Sequence, residues 1–221
     1  MTRLLVVNPN TTVAVTELLA RRVAAAIGTA AEVEVEAITA TFGAAYIASE
    51  ASYVVAAHAA LAACSAHSDA NGRPDAIIVG CFGDPGVFAL REALALPVIG
   101  LAEAAMREAA THGRFAIVTG GAAWGPMLAR LARALDLADR LATIELVAAT
   151  GAELAADPER ALALLGDACT RAARRADAVV LGGAALAGMA EAIASHTALA
   201  MPLVDSVDAA ARAALVALGR G

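Results

Sequence analysis

The sequence predicts an α/β protein built on parallel sheets, and three observations support this prediction. Short segments rich in Val, Ile and Leu and bounded by Gly, Pro or Asn recur along the 221 residues, which is typical of buried parallel strands. Stretches rich in Ala, Leu and Arg with helical spacing lie between them, as in residues 127–135. The strand-like segments also recur in the same order, and this indicates two related halves.

Each half contains three strand-like segments of matching pattern. They are residues 3–8, 75–80 and 96–100 in the first half and residues 114–119, 177–182 and 201–205 in the second. One such match would mean little, because β-strands resemble one another, but three matches in order at separations of 102 to 111 residues indicate duplication. No Pro-rich or Ser-rich linker separates the halves, so we expect them to pack as one body with a cleft between them. Ligands of parallel sheets bind beyond the carboxyl ends of the strands.

The first strand is followed by Asn8-Pro-Asn10-Thr-Thr12. Asn and Thr side chains can cap the next helix, and the N-terminus of that helix can also receive an anionic group. Both interpretations stay open at this point. Further along, residues 51–68 carry no formal charge and approach the length of a membrane span. Because Ala dominates this stretch, and it also contains His58, His67 and several Ser, we expect a buried helix of a soluble protein.

The strand at 76–80 is followed by Cys81-Phe-Gly-Asp-Pro-Gly86. A thiol near a helix N-terminus is normally acidified and can act as a base or nucleophile, so we expect a functional Cys81. The alternative is a small buried hydrophobic residue, which is the interpretation favoured for Cys64 and Cys169 within helical stretches. Asp84 is expected to be a capping residue that could also orient a polar group.

In the second half, Thr119-Gly120-Gly121 is the counterpart of the segment at Asn8, and Gly183 is the counterpart of Cys81. If the halves face each other, the cysteine has a glycine opposite. Trp124 and the Arg174-Arg175 pair are expected in packing and on the solvated surface, respectively.

Composition excludes several classes of function. All 16 basic residues other than His are Arg, so mechanisms that need a reactive lysine and phosphate-binding loops ending in Gly-Lys-Ser/Thr are ruled out. A net charge of −6 argues against nucleic acid as a partner. No His-Glu-x-x-His, Cys-x-x-Cys or Gly-x-Ser-x-Gly motif occurs, so no metal site is expected. Three cysteines and a short apolar N-terminus favour a cytoplasmic protein that does not associate with membranes.

At these residues the chain resembles the aspartate/glutamate/hydantoin racemase superfamily, most closely its hydantoin and allantoin racemase branch. The resemblance rests on Asn8-Pro-Asn10-Thr, on Cys81-Phe-Gly-Asp-Pro-Gly86 and on Leu181-Gly182 after the matching strand, and it extends over almost the whole chain. It implies two pseudo-symmetric Rossmann-like lobes with the active site in the cleft between them. Lobe one would comprise residues 1–98 and 203–221, with lobe two, residues 99–202, inserted in it.

The resemblance also implies cofactor-independent deprotonation beside a carbonyl of a small carbonyl or carboxylate substrate, in a homo-oligomeric isomerase. Cys81 would be the first catalytic cysteine, acting as a thiolate base. The segment Phe42–Ile47 matches a family loop that covers the substrate, although the Pro expected at Ala44 is missing. The residues expected to bind substrate are Asn10, Ile47, Phe82, Thr119, Gly120, Gly183 and Ala184.

The chain departs from the family pattern at Gly183, where the second catalytic cysteine is expected. Three hypotheses follow from this departure. The first is a racemase or isomerase of a hydantoin or amino-acid derivative, in which water or another side chain replaces the second thiol. The second is a single-cysteine decarboxylase or lyase of a malonate-type compound, related in chemistry to arylmalonate decarboxylase. The third is a binder of small anions without turnover.

Overall fold

A computed structural model of the chain describes residues 2–28, 32–197 and 199–220. This part of the chain forms two four-stranded sheets, and every strand pair in them is parallel. The strand orders are β2-β1-β3-β4 and β6-β5-β7-β8, so the two sheets have the same topology. The α/β fold with two related halves is therefore confirmed.

The elements alternate between strand and helix along the chain. In the first half they are β1 Thr2–Asn8, α1 Val13–Ile27, β2 Val33–Thr39, α2 Glu50–Asn71, β3 Ala76–Val79, α3 Val87–Leu94, β4 Val98–Gly100 and α4 Leu101–Ala110. In the second half they are β5 Phe115–Gly120, α5 Trp124–Ala134, β6 Leu141–Val147, α6 Gly151–Ala156, α7 Pro158–Ala173, β7 Ala178–Gly182, α8 Met189–His196, β8 Leu203–Asp205 and α9 Ser206–Ala217. Short 3-10 turns span Ala138–Arg140 and Ala184–Leu186.

The central strands are apolar on both faces because helices cover both faces of each sheet. In β1, Leu4 and Val6 belong to one buried cluster while Leu5 and Val7 belong to another, as the two-residue period of a strand requires. The cluster that contains Leu4 also contains Phe115 of β5. The two halves thus share one central core, with a separate outer core on each side.

The second strand of each half was not predicted from the sequence. Both β2 and β6 lie at sheet edges, and most of their residues are half-buried. The sequence of β2, Val-Glu-Val-Glu, alternates apolar and charged residues, which is the pattern of an exposed strand rather than of a continuous apolar run. That alternation is the signal that could have identified β2.

Residues 51–68 lie within α2 and are helical as expected. One stripe of this helix is buried, and it includes Ala56, Ala60 and Cys64. Among the described helices, none combines the length and apolarity needed to cross a membrane.

The lobe boundaries need a correction at two strands. Val98–Gly100 pairs with β3, so residues 99–100 belong to the first sheet, and Leu203–Asp205 pairs with β7, so residues 203–205 belong to the second sheet. Both segments are strand ends whose assignment depends on pairing, which the local sequence does not contain. The division of the other residues between the lobes stays a prediction.

Candidate active site

The carboxyl ends of the strands of both sheets surround one cavity of about 260 Å³. All eight residues that the sequence analysis selected line it: Asn10, Ile47, Cys81, Phe82, Thr119, Gly120, Gly183 and Ala184. The cavity also contacts residues that were not selected: Thr12, Ala14, Val15, Ala45, Tyr46, Gly80, Trp124, Gly151, Ala155, Ala185 and Leu186. The duplicated strand ends therefore meet at one place, as parallel sheets predict.

Cys81 lies directly beyond β3, in the cavity wall of the first sheet. The preceding Gly80 donates its N–H to Val7 O at 2.8 Å, which keeps the chain against β1 as the strand ends. A methyl group built on Gly80 would lie 2.5 Å from Leu19 Cδ1, so this position accepts only glycine without rearrangement. The thiol is thus fixed at the point where the backbone turns into the cavity.

The expectation of an acidified thiol was wrong. Cys81 is only 7% exposed, and burial raises the pKa of its thiol above the ordinary value, with a further rise from the Asp84 carboxylate. The next helix, α3, begins only at Val87, so its N-terminus does not lie at the thiol. Burial in the cavity wall therefore favours the thiol form of Cys81 over the thiolate. Burial likewise raises the pKa of Cys64 and of Cys169 to about 12, in agreement with their expected role as packing residues.

Asp84 holds the Cys81 loop against the start of α4. Its carboxylate accepts the N–H groups of Ala102 at 2.9 Å and Glu103 at 2.7 Å, so it caps α4, which begins 17 residues further along the chain. Burial raises the pKa of Asp84 to about 7. On the other side of the loop, Tyr53 donates its hydroxyl to Gly83 O at 2.9 Å. The expected capping role of Asp84 is confirmed.

The segment after β1 is held by its own side chains. Asn8 Nδ2 donates to Asn10 Oδ1 at 3.0 Å, and Thr12 N donates to the same oxygen at 2.9 Å. Thr12 is the first residue before α1, but its side chain makes no capping bond and donates instead to Ala45 O at 2.8 Å. Within the described residues, Asn10 Nδ2 has no acceptor. Asn10 therefore presents a free amide donor at the cavity.

The wall from the second sheet is built of small residues. Gly183 has φ +143° and ψ 122°, and its N–H donates to Ser206 Oγ at 3.4 Å. A Cβ atom built there would lie 3.1 Å from Leu186 Cδ1. Glycine is thus favoured here mainly by the backbone, because this positive φ disfavours side chains, and an added Cβ would also need Leu186 to shift by a few tenths of an ångström.

Two aromatic rings join the Cys81 loop to the second lobe. Methyl groups built on Gly182 and on Gly83 would lie 2.2 Å from Phe82 Cε1 and 2.4 Å from Trp124 Cζ3, so both rings pack directly on glycine backbone. Trp124 is only 6% exposed and packs as expected, but it also lines the cavity, which the sequence analysis did not foresee. Its position just after a strand end was the available signal. Arg174 and Arg175 are exposed, as expected.

The cavity is apolar and carries no formal charge. Among the described residues that line it there is no Arg, His, Asp or Glu, and only Cys81 and Tyr46 carry a thiol or a phenol. Three neutral donors at the cavity, Asn10 Nδ2, Thr119 Oγ1 and Phe82 N, have no hydrogen-bond partner within the described part of the chain. No group of three or more His, Cys, Asp or Glu side chains in the described segments is arranged to hold a metal.

The comparisons with known proteins agree with this architecture. Residues 4–214 match the family model described as Asp/Glu/Hydantoin racemase. A hydantoin racemase of Paenarthrobacter aurescens is 32% identical over 98% of this chain and 92% of its own length. Among solved structures, the allantoin racemases of Klebsiella pneumoniae and Pseudomonas fluorescens are each 30% identical over 99% of this chain. They superimpose with TM-scores of 0.89 and 0.90, over 89% and 92% of their respective lengths.

Proposed function

The chain belongs to the Asp/Glu/hydantoin racemase family, and from this membership we propose that it inverts the carbon next to a carbonyl in a hydantoin-type cyclic amide, with Cys81 as acid and base. The observation that carries the proposal is the Cys81 thiol in the wall of an uncharged cavity between the two sheets. Free donors at Asn10, Thr119 and Phe82 surround the same space. Together they supply a proton carrier and hydrogen bonds for a developing oxyanion.

In the proposed reaction the Cys81 thiol first releases its proton to water, and the resulting thiolate then removes the α-proton of the substrate and becomes a thiol again. The electron pair of the broken C–H bond moves onto the carbonyl oxygen, and neutral donors stabilise the enolate by hydrogen bonding. Return of a proton to the opposite face gives the other enantiomer. No step of this proposed reaction needs a cofactor.

The electrostatics of the cavity favour a neutral substrate over a dicarboxylate. A charged carboxylate removed from water needs a partner, and the described cavity wall offers no cationic side chain to aspartate, glutamate or a malonate. A hydantoin ring is neutral and carries two carbonyls and two N–H groups. Apolar side chains, including Val15, Ile47 and Leu186, leave room for an apolar substituent on the ring.

The test is proton NMR of each enantiomer of 5-isobutylhydantoin in deuterium oxide, with allantoin, aspartate, glutamate and an arylmalonate in parallel. We expect the wild-type protein to incorporate deuterium and to invert the hydantoin. Cys81→Ala should lower the rate of inversion about a thousandfold or more, because a positioned acid or base contributes a factor of this order. A sample without protein measures spontaneous exchange.

Cys169→Ala is the matched control, because it removes a buried thiol of α7 that does not line the cavity. This variant should keep the wild-type rate of inversion. Inversion that survives in Cys81→Ala, or a wild-type protein that exchanges no candidate, would contradict the proposal.

A second candidate, a single-cysteine decarboxylase, is favoured by Gly183 in the position expected for the other thiol. Decarboxylation produces a carbanion that needs only one proton donor, so one thiol would suffice. In the same experiment this function would release carbon dioxide from the arylmalonate and give one product enantiomer. A ligand that raises the melting temperature of both wild type and Cys81→Ala, without turnover, would instead indicate a binder.

A further inference from the structure

Inversion needs a proton carrier on each face of the substrate carbon, and Gly183 cannot be the second one. Among the described residues of the cavity, Tyr46 is the other side chain suited to this task, because the remaining hydroxyls belong to Thr12 and Thr119 and are weaker acids than a phenol. We propose that the Tyr46 hydroxyl is the second acid and base, acting opposite Cys81. This inference rests on the proposed racemase function.

The side chain of Tyr46 extends from a loop of the first half to the carboxyl end of the second sheet. Tyr46 lies in the loop between β2 and α2, yet its Oη accepts the N–H of Gly151 at 3.4 Å. A methyl group built on Gly121, directly after β5, would lie 2.9 Å from the same oxygen. The hydroxyl is therefore at the carboxyl end of the second sheet, whereas Cys81 is at the end of the first.

The ring also lies beside the turn that follows β7, where the family pattern places the missing thiol. A methyl group built on Gly151 would lie 3.7 Å from Tyr46 Cε2 and 3.5 Å from Ala185 Cβ. Ala185 is two residues after Gly183. The phenol thus occupies the side of the cavity that a second cysteine would serve.

Trp124 packs against both the turn beside Tyr46 and the loop that carries Cys81. The pyrrole edge of its indole faces Gly121, where a built methyl would lie 3.1 Å from Cδ1 and 2.9 Å from the Tyr46 hydroxyl. The benzo edge faces Gly83, two residues after Cys81. The phenol and the cysteine loop therefore lie at opposite ends of one ring.

The loop that carries Tyr46 is anchored on both sides. Thr11 N donates to Ala44 O at 3.2 Å, Thr12 Oγ1 donates to Ala45 O at 2.8 Å, and Ile47 is only 2% exposed. Tyr46 itself is half-buried. The hydroxyl is held in place and still has access to water, with which it can exchange its proton between turnovers.

The proton transfers balance in both directions. In one direction Cys81 takes the α-proton, the C–H electron pair passes to the carbonyl oxygen, and Tyr46 O–H then donates its proton to the opposite face of the carbon. The protein is left with a Cys81 thiol and a Tyr46 phenolate, and this is the state that deprotonates the other enantiomer. Proton exchange with solvent interconverts this form and the form that has a Cys81 thiolate and a neutral Tyr46 phenol.

The test compares Tyr46→Phe with wild type on each enantiomer of 5-isobutylhydantoin in deuterium oxide. We expect inversion to fall about a hundredfold or more, while the enantiomer whose α-proton faces Cys81 still exchanges deuterium with retention of configuration. Cys81→Ala should show the reverse preference, with any remaining exchange confined to the other enantiomer. This opposite pattern is a signature that a merely structural role would not produce.

Tyr53→Phe is the matched control, because it removes the chain's other phenol hydroxyl, which supports the Gly83 carbonyl. It should lower the exchange of both enantiomers by the same factor. Tyr46→Phe would overturn the inference if it inverted at near the wild-type rate or slowed both enantiomers equally. If wild type itself fails to exchange any hydantoin, the proposed function fails first, so the two failures are distinguishable.

Discussion

Asp84 links the catalytic loop to the stability of the fold. Its carboxyl is 1% exposed and caps α4, and burial raises its pKa to about 7. In the unfolded chain the same group titrates near pH 4. Between about pH 4 and pH 7 the folded protein therefore keeps a proton that the unfolded chain has lost, so this group makes stability decrease as pH rises through that window.

Asp84→Asn should remove this pH dependence. We expect the free energy of unfolding of the wild type, measured by urea denaturation, to lose on the order of 4 kcal/mol from this group between pH 4 and pH 7. The Asn variant should lack that loss. Asp139→Asn removes an exposed carboxylate and should keep the wild-type slope. Identical slopes in wild type and Asp84→Asn would contradict the assignment.

At the residue scale, the sequence identified the position of Cys81 in the site but did not predict the pKa of its thiol. The string Cys81-Phe-Gly-Asp-Pro-Gly86 was sufficient to select the cysteine, because the residues are contiguous and follow a recognisable strand. The pKa of the thiol depends on its burial and on the Asp84 carboxylate, and both are established only after folding. Tyr46 was missed for the same reason, because its hydroxyl meets Gly151 across 105 positions of sequence.

The end of β7 has a backbone conformation that disfavours a side chain at the position where the family pattern places the second thiol. Gly183 combines a φ of +143° with close contact to Leu186, and any side chain there meets both problems. Replacing the glycine by cysteine would therefore not restore a two-thiol site without backbone rearrangement.

Gly183→Ala should lower the free energy of unfolding by about 1–3 kcal/mol, the usual cost of a residue in a disfavoured φ region. Gly151→Ala is the control, since it also lies in the cavity wall but its added methyl would have no heavy atom closer than 3.5 Å. We expect that variant to stay within about 1 kcal/mol of wild type. Chemical denaturation measures both, and equal stability of the two variants would argue against strain at Gly183.

At the element scale, strands with continuous apolar runs were predicted, including the short edge strands β4 and β8, whereas the half-buried edge strands β2 and β6 were not. The runs in β1, β3, β5 and β7 lie at the centre of their sheets and are buried on both faces, so burial alone determines their composition. The edge strands β2 and β6 are half-buried and include charged residues such as Glu34 and Glu145. The alternation in β2 was a usable local signal, whereas β6 does not alternate strictly and its assignment depends on pairing with β5.

At the scale of the whole molecule, α9 joins the two halves. It packs against α1 of the first half and against α4, and its side chains belong to the core that both sheets share. Arg22 of α1 forms a bidentate ion pair with Asp208 of α9, in which Nε donates to Oδ1 at 2.7 Å and Nη2 donates to Oδ2 at 2.5 Å. Asp205 caps the helix through the N–H groups of Val207 and Asp208.

Arg22→Met should lower the free energy of unfolding by about 1–3 kcal/mol, because the pair is largely shielded from solvent and links distant segments. Arg21→Met is the control on the same helix. Arg21 is 69% exposed, and its nearest carboxylate, Glu17, is 4.0 Å away, so we expect a change within about 0.5 kcal/mol. The prediction fails if urea denaturation gives the two variants the same stability.

The duplicated topology was predictable because repetition is visible in sequence, whereas the shared core was not, because it depends on how the two sheets face each other. The segment 203–205 shows the difference. The repeat placed this segment in the second half while the expected lobe boundary placed it in the first, and pairing with β7 shows that it belongs to the second sheet.

The small-residue wall of the second lobe has a consequence for protein engineering. Among the residues from 151 onward that the structure describes, those lining the cavity are glycine, alanine and one leucine: Gly151, Ala155, Gly183, Ala184, Ala185 and Leu186. Aliphatic residues of other sizes at the three alanines and the leucine would change the cavity volume available to the substituent of a substrate. They would not change the charge of the cavity or the loop that carries Cys81. A mutant library confined to Ala155, Ala184, Ala185 and Leu186 would thus vary the substrate range while leaving the proposed catalytic residues, Cys81 and Tyr46, unchanged.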